Sequence, residues 1–170
     1  MTRTICLHGP ESTGKSTLAP RLAARLGGAL VEEYGRTYAE ANGIDFTMAD
    51  LVAIAQGHDQ RTRDAIARGG DPVILDTDPL MSAVWADMLF GTRDPWFDAW
   101  DATADLYLLF DIDLPWIEDG TRMFGTRELR QRFFDLSKAE LERRGVRWAP
   151  VSGQGEDRFR AALAAVEAGF

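Results

Sequence analysis

The run Gly9-Pro10-Glu11-Ser12-Thr13-Gly14-Lys15-Ser16-Thr17 carries the chemistry most directly readable in this chain. It fits G-x-x-x-x-G-K-[ST] without a mismatch. Gly9 and Gly14 let the backbone turn tightly and approach an anion that a Cβ would hold off. The N–H groups of Glu11, Ser12, Thr13 and the residues that follow then point into one concavity, and the next helix adds its positive end. Lys15 supplies a point charge for outer phosphates. The Ser16 hydroxyl is placed to ligate Mg²⁺, with Thr17 beside it. A nucleoside triphosphate is the ligand that this combination predicts.

Two acidic clusters stand at the ends of other apolar runs. Pro72-Val73-Ile74-Leu75-Asp76 has the form of a strand whose terminal aspartate positions hydrated Mg²⁺ opposite Ser16. Asp78 projects from the same end and is a candidate for a substrate hydroxyl, as contact or base; the alternative is that Asp76-Thr77-Asp78 caps the next helix. Glu32-Glu33-Tyr34-Gly35-Arg36 closes the second apolar run. Glu33 is the candidate base for an acceptor hydroxyl, with Tyr34 and Arg36 as acceptor contacts. A Glu–Arg surface pair is the plainer reading.

Farther along, Pro115-Trp116-Ile117-Glu118-Asp119-Gly120-Thr121-Arg122 sits in a polar stretch. Trp116 could stack on a flat ring and Asp119 could hold a sugar hydroxyl; Trp116 as ordinary core is the alternative. Arg122, Arg127 and Arg130 are candidates for a closing lid over roughly residues 114–130 that neutralises a transferring phosphoryl group, Arg127 reaching the nucleotide. His58 reads as a packed or surface histidine and His8 as structural. No His/Cys cluster suggests zinc.

Elements that could position these residues alternate in kind, which argues for a parallel α/β sheet. Strands are predicted at 4–8, 29–31, 72–76, 106–110 and 147–151. Leu18, Leu22, Ala23 and Leu26 recur at helical spacing, and Gly27-Gly28 stop that helix. Further helices are predicted at 38–42, from a Thr47–Asp50 capping box to about 68, at 80–90, near 96–101, at 127–144 and at 156–166. The segment 111–126 is rich in Gly and Pro and reads as mobile. Near-continuous apolar strands imply helices on both faces, with the site beyond their carboxyl ends.

At 170 residues the chain is the size of one domain, 1–170, with 45% hydrophobic and 27% charged residues. Its net charge of −8, from 27 acidic and 19 basic residues, disfavours nucleic acid and anionic membranes as partners. Cys6 is the only cysteine, so no disulfide framework exists. With no membrane-length apolar run and no signal-peptide layout, a cytoplasmic location is the expectation.

With these residues in view, the chain resembles the ribosylnicotinamide kinase domain of NadR-type proteins, within the P-loop kinase superfamily. The resemblance rests on GPESTGKSTL (9–18), EYGRTY (33–38), AQGHDQ (55–60), LDTDPL (75–80) and PWIEDGTR (115–122). It implies a three-layer fold with a parallel sheet of about five strands ordered 2-3-1-4-5. It also implies ATP- and Mg²⁺-dependent phosphorylation of a small nucleoside-like substrate, nicotinamide riboside, at its 5′-hydroxyl. NadR-type proteins often carry an adenylyltransferase domain ahead of the kinase. This chain begins at the kinase unit, so that second activity does not carry over. Competing readings are a kinase for another nucleoside or small metabolite and a GTP-binding switch. The latter usually needs N-K-x-D, and the only lysine outside the phosphate loop is Lys138, in Ser-Lys-Ala-Glu.

Overall fold

A computed structural model describes all residues, 1–170. In chain order the elements are β1 (Thr4–His8), α1 (Lys15–Leu26), β2 (Ala29–Val31), α2 (Tyr34–Asn42), α3 (Met48–Ala67) and β3 (Val73–Asp76), then α4 (Pro79–Phe90), α5 (Pro95–Ala99), β4 (Leu106–Phe110), α6 (Arg127–Arg144), β5 (Trp148–Val151) and α7 (Gly155–Gly169). The sheet has five strands in the order β2-β3-β1-β4-β5, and every pairing is parallel. This is the topology that the resemblance implied.

Strands β1, β3 and β4 are buried at every position, as covered parallel strands must be. One face of the sheet packs Ile5, Leu7, Ile74 and Leu108 against Leu18 and Leu22 of α1 and Ala162 and Val166 of α7. The other face sets Cys6, Leu75, Tyr107 and Leu109 against Leu80 of α4 and Leu141 of α6. Leu7 pairs with Asp76 and His8 with Leu109. That register places the phosphate loop, which leaves β1 after His8, beside the acidic end of β3. No helix is long and apolar enough to cross a membrane.

The capping box at the start of α3 is present: Asp50 N–H donates to Thr47 Oγ1 at 3.2 Å, and Thr47 N–H donates to Asp50 Oδ2 at 2.7 Å. Other boundaries move. Helix α2 begins at Tyr34, four residues before the predicted Tyr38. Its first amide finds an acceptor on another helix, which no local pattern reveals. Helix α7 runs to Gly169, past the predicted end at 166, with Leu106 packed against that glycine. The 111–126 segment has no regular structure, but the phosphate loop holds it by side-chain hydrogen bonds described below.

Candidate active site

The residues of the phosphate loop line a cleft enclosing about 920 Å³ of space open to solvent. Gly9 has φ 131°, and a Cβ there would meet Phe110 O at 2.8 Å, so only glycine lets the loop leave β1 against β4. Gly14 caps α1 with φ 88°, and the loop's amides sit at that helix's N-terminus. Thr13 Oγ1 donates to Pro10 O at 2.8 Å. The Lys15 ammonium donates to the same carbonyl at 2.5 Å and lies 3.3 Å from Thr13 Oγ1. Burial pulls the Lys15 pKa down, while Glu33, Asp76 and Glu11 pull it up.

Ser16 Oγ donates to Asp76 Oδ2 at 2.7 Å. The other oxygen, Asp76 Oδ1, is buried without a partner. A hydroxyl and a carboxylate joined in this way, with one carboxylate oxygen left over, fit a hard divalent cation that takes its remaining oxygens from phosphate and water. No group of three or more His, Cys, Asp and Glu forms an all-protein metal cage.

Glu33 is the N-cap of α2, and its side chain makes no cap hydrogen bond. It lines the cleft with Arg36 and Arg122. Burial and then the Asp76 charge push Glu33 up to about 7. Arg36 donates to Asp119 Oδ2 at 2.7 Å, and Arg122 lies 3.2 Å from the same oxygen. Asp119 therefore ties α2 to the lid segment and does not itself line the cleft.

The loop's own side chains hold that segment down. Ser12 Oγ accepts from Ile117 N–H at 2.9 Å and from Arg122 at 3.3 Å. Glu11 accepts from the Met123 N–H at 3.1 Å. Burial raises Glu11 to about 7. Thus Glu11 and Ser12 line the cleft and also bind the lid.

Several sequence candidates lie elsewhere. Asp78 is 2% exposed and faces the core. Its Oδ1 accepts from Leu80 N–H at 2.9 Å, capping α4, and its Oδ2 accepts from the Tyr107 hydroxyl at 2.5 Å. Both oxygens are engaged beneath the sheet end, so the helix-cap alternative describes it and the substrate contact does not. Trp116 packs over Gly125, where a Cβ would meet the indole at 2.9 Å, and is not part of the cleft lining. Arg127 is exposed at the start of α6 and does not line the cleft. Arg130 instead reaches inward, donating to Leu114 O at 2.8 Å. Tyr34 contributes its backbone; its ring lies against Gly57 of α3.

In place of Trp116, the cleft has an apolar wall of Phe46, Leu51, Ile54, Met81 and Trp85. Phe46 and Trp85 meet edge to face with centroids 6.2 Å apart. Sequence reasoning missed this wall because α4 is apolar almost all round, so no stripe distinguished Trp85. It also missed Arg158, 2% exposed, whose Nε donates to Thr13 O at 2.9 Å and whose Nη1 pairs with Asp113 at 2.5 Å. A signal existed there: Arg158 falls on the same face of α7 as buried Ala162 and Val166. An arginine on a core-facing stripe needs a buried partner.

Comparison with known proteins follows this geometry. A family model described as an AAA domain matches residues 4–158. The trifunctional NAD biosynthesis/regulator protein NadR of Escherichia coli (strain K12) is 29% identical over 161 residues, covering 91% of this chain and 39% of that protein. A solved NadR protein in complex with NR superposes with a TM-score of 0.78 at 25% identity, covering 98% of this chain and 49% of that one. The chain thus spans less than half the length of these relatives. A thymidylate kinase from Ehrlichia chaffeensis superposes with a TM-score of 0.73 at 15% identity, covering 98% of each chain, and that likeness concerns the fold alone. The likeness to NadR-type proteins read from the sequence is borne out.

Proposed function

Because the chain belongs to the AAA domain family, whose model spans its phosphate loop and sheet, we propose that it is an ATP-dependent nucleoside kinase whose acceptor is nicotinamide riboside. One observation carries this reading: a half-buried carboxylate, Glu33, lines one cleft together with the phosphate loop and the apolar Phe46 and Trp85. A switch protein needs no acceptor wall.

In the proposed reaction the 5′-hydroxyl of the riboside attacks the terminal phosphorus of ATP, and ADP leaves. Lys15 and the loop amides hold the phosphates, while Arg36 and Arg122 balance charge on the transferring group. Glu33, with a pKa near neutrality, accepts the hydroxyl proton. Phe46 and Trp85 receive the flat ring. The lid held by Glu11 and Ser12 keeps water from competing with the acceptor. Ser16 and Asp76 would hold Mg²⁺, which would supply positive charge to offset that of the phosphates.

The likeness to a NadR protein bound to NR supports the choice of acceptor. A coupled ADP-release assay over a panel of nucleosides tests it, with fastest turnover expected on nicotinamide riboside. Turnover on uridine or a deoxynucleoside, with none on the riboside, would reassign the acceptor. ADP release that no acceptor stimulates would sink the kinase reading.

A further inference from the structure

Helix α2 starts immediately after Glu33, and the Glu33 side chain caps none of its amides. The first amides of a helix need acceptors from outside it. A side chain at the Glu33 cap position reaches the second or third amide, not the first. Tyr34 N–H instead donates to Nε2 of His58, on α3, at 3.2 Å. Accepting that bond fixes Nε2 as the unprotonated nitrogen and puts the ring proton on Nδ1. His58 is 2% exposed and lines the cleft, and its Nδ1 has no partner.

The same Nε2 lies 3.3 Å from the hydroxyl of Thr77. Thr77 follows Asp76 and has φ 67°, a left-handed conformation that a β-branched residue seldom adopts. One neutral imidazole therefore touches the corner after Glu33 and the corner after Asp76. Its neighbour Gly57 admits the approach: a Cβ there would strike the Tyr34 ring at 2.1 Å. The Arg61 guanidinium lies over the same ring, 4.5 Å from its centroid.

We propose that His58 is a positioning residue: by taking the Tyr34 amide, it holds the start of α2 and with it the backbone from which the Glu33 carboxylate is directed at the acceptor hydroxyl. This rests on Glu33 being the proton acceptor in the reaction proposed above. His58 need not touch substrate. Its part is to fix the backbone that carries the base.

The test compares wild type, His58→Leu and His58→Gln, each also in a Glu33→Gln background. Glutamine offers an amide oxygen at about the reach of Nε2; leucine offers no acceptor. Hydrogen exchange of the Tyr34 amide, followed by NMR, is expected to be about tenfold or more faster in His58→Leu and close to wild type in His58→Gln. On whichever nucleoside wild type turns over, His58→Leu should lower kcat by roughly 30-fold with both KM values within about threefold, and His58→Gln should recover most of it. In the Glu33→Gln background, His58→Leu should cost less than about twofold more. A Tyr34 amide that exchanges as in wild type, or a kcat loss that adds to that of Glu33→Gln, overturns the proposal. If His58→Leu fails to fold, Gly57→Ala gives the same comparison by displacing the Tyr34 ring without altering the imidazole. If wild type phosphorylates no nucleoside, the kinase reading fails separately, and amide exchange still decides whether His58 holds this corner.

Discussion

On the phosphate side of the cleft most working groups follow one another along the chain within residues 9–17 and act largely through backbone amides, with Asp76, Arg36 and Arg122 added from elsewhere. On the acceptor side they come from separate elements: Glu33 from the cap of α2, Phe46 from the α2–α3 connection, His58 from α3, and Met81 and Trp85 from α4. A binding surface made of backbone must write its conformational needs into adjacent residues, chiefly glycines. One made of side chains needs only that the fold bring suitable groups together. The first is therefore readable as a motif, and the second is visible only in three dimensions.

The sharpest blow to the phosphate side is Lys15→Ala. No other lysine stands near the loop, and the amides alone cannot replace a charge directed at the outer phosphates. Turnover should fall by about three orders of magnitude, in the range that loss of a principal electrostatic stabiliser brings. Circular dichroism should be unchanged, because the lysine bonds only to its own loop. An ADP-release rate within tenfold of wild type would mean that the loop is not the phosphoryl site.

On the acceptor side the next largest effect separates two carboxylates that the sequence left as rivals. Glu33→Gln should lower kcat by about 100-fold or more while ATP affinity stays within a few fold. Asp78→Ala should leave the kcat of the folded enzyme nearly intact and instead lower stability by about 1–3 kcal/mol, since it removes the α4 cap and strands the Tyr107 hydroxyl. Steady-state kinetics beside urea unfolding distinguishes them. The reverse pattern would exchange their roles.

These two residues show where sequence reading stopped. The strands, the phosphate loop and the acidic end of β3 were legible because apolar runs and glycine spacing report on them directly, whereas the strand order came from the resemblance to NadR-type proteins. Asp78 was ambiguous because a strand-end aspartate serves equally as a ligand or a helix cap, and only the position of Tyr107, on another strand, decides between them. Trp116 drew attention as an aromatic beside charges, yet it covers Gly125 in the lid. Trp85 stands in α4, which is apolar almost all round, so nothing in the pattern set it apart. The start of α2 was misplaced because its acceptor, His58, lies 24 residues away along the chain.

The two tryptophans supply a smaller test. Stacking on an aromatic ring is worth about 1–3 kcal/mol per base, so Trp85→Ala should raise the acceptor KM by roughly 10- to 100-fold and leave the ATP KM unchanged. Trp116→Ala should change the acceptor KM by less than about threefold. Equal effects from both would mean that the lid, and not the α4 wall, receives the ring.

The smallest expected effect comes from His8, the histidine on the phosphate side. It is fully buried at the end of β1, and its Nε2 lies 3.0 Å from Ser137 O, to which it donates in the neutral form. Burial lowers its pKa from 6.5 to about 4. Above pH 6.5 the ring is neutral folded or unfolded, and no linkage arises. Between 6.5 and 4 the unfolded chain takes up a proton that the folded chain refuses, so stability is lost as pH falls, by about 1.4 kcal/mol per pH unit. Glu11 and Glu33, raised to about 7, act in the opposite direction over part of this window. They are common to both chains in a comparison of wild type with His8→Gln, so their contribution cancels. Glutamine can still donate to Ser137 O but does not titrate. The stability difference should therefore move in favour of His8→Gln by about 1 kcal/mol between pH 6.5 and 5.5, measured by urea unfolding at each pH. A difference that does not change with pH would mean that the ring under the phosphate loop is solvated enough to titrate normally, and that the floor of this half of the cleft is looser than its packing implies.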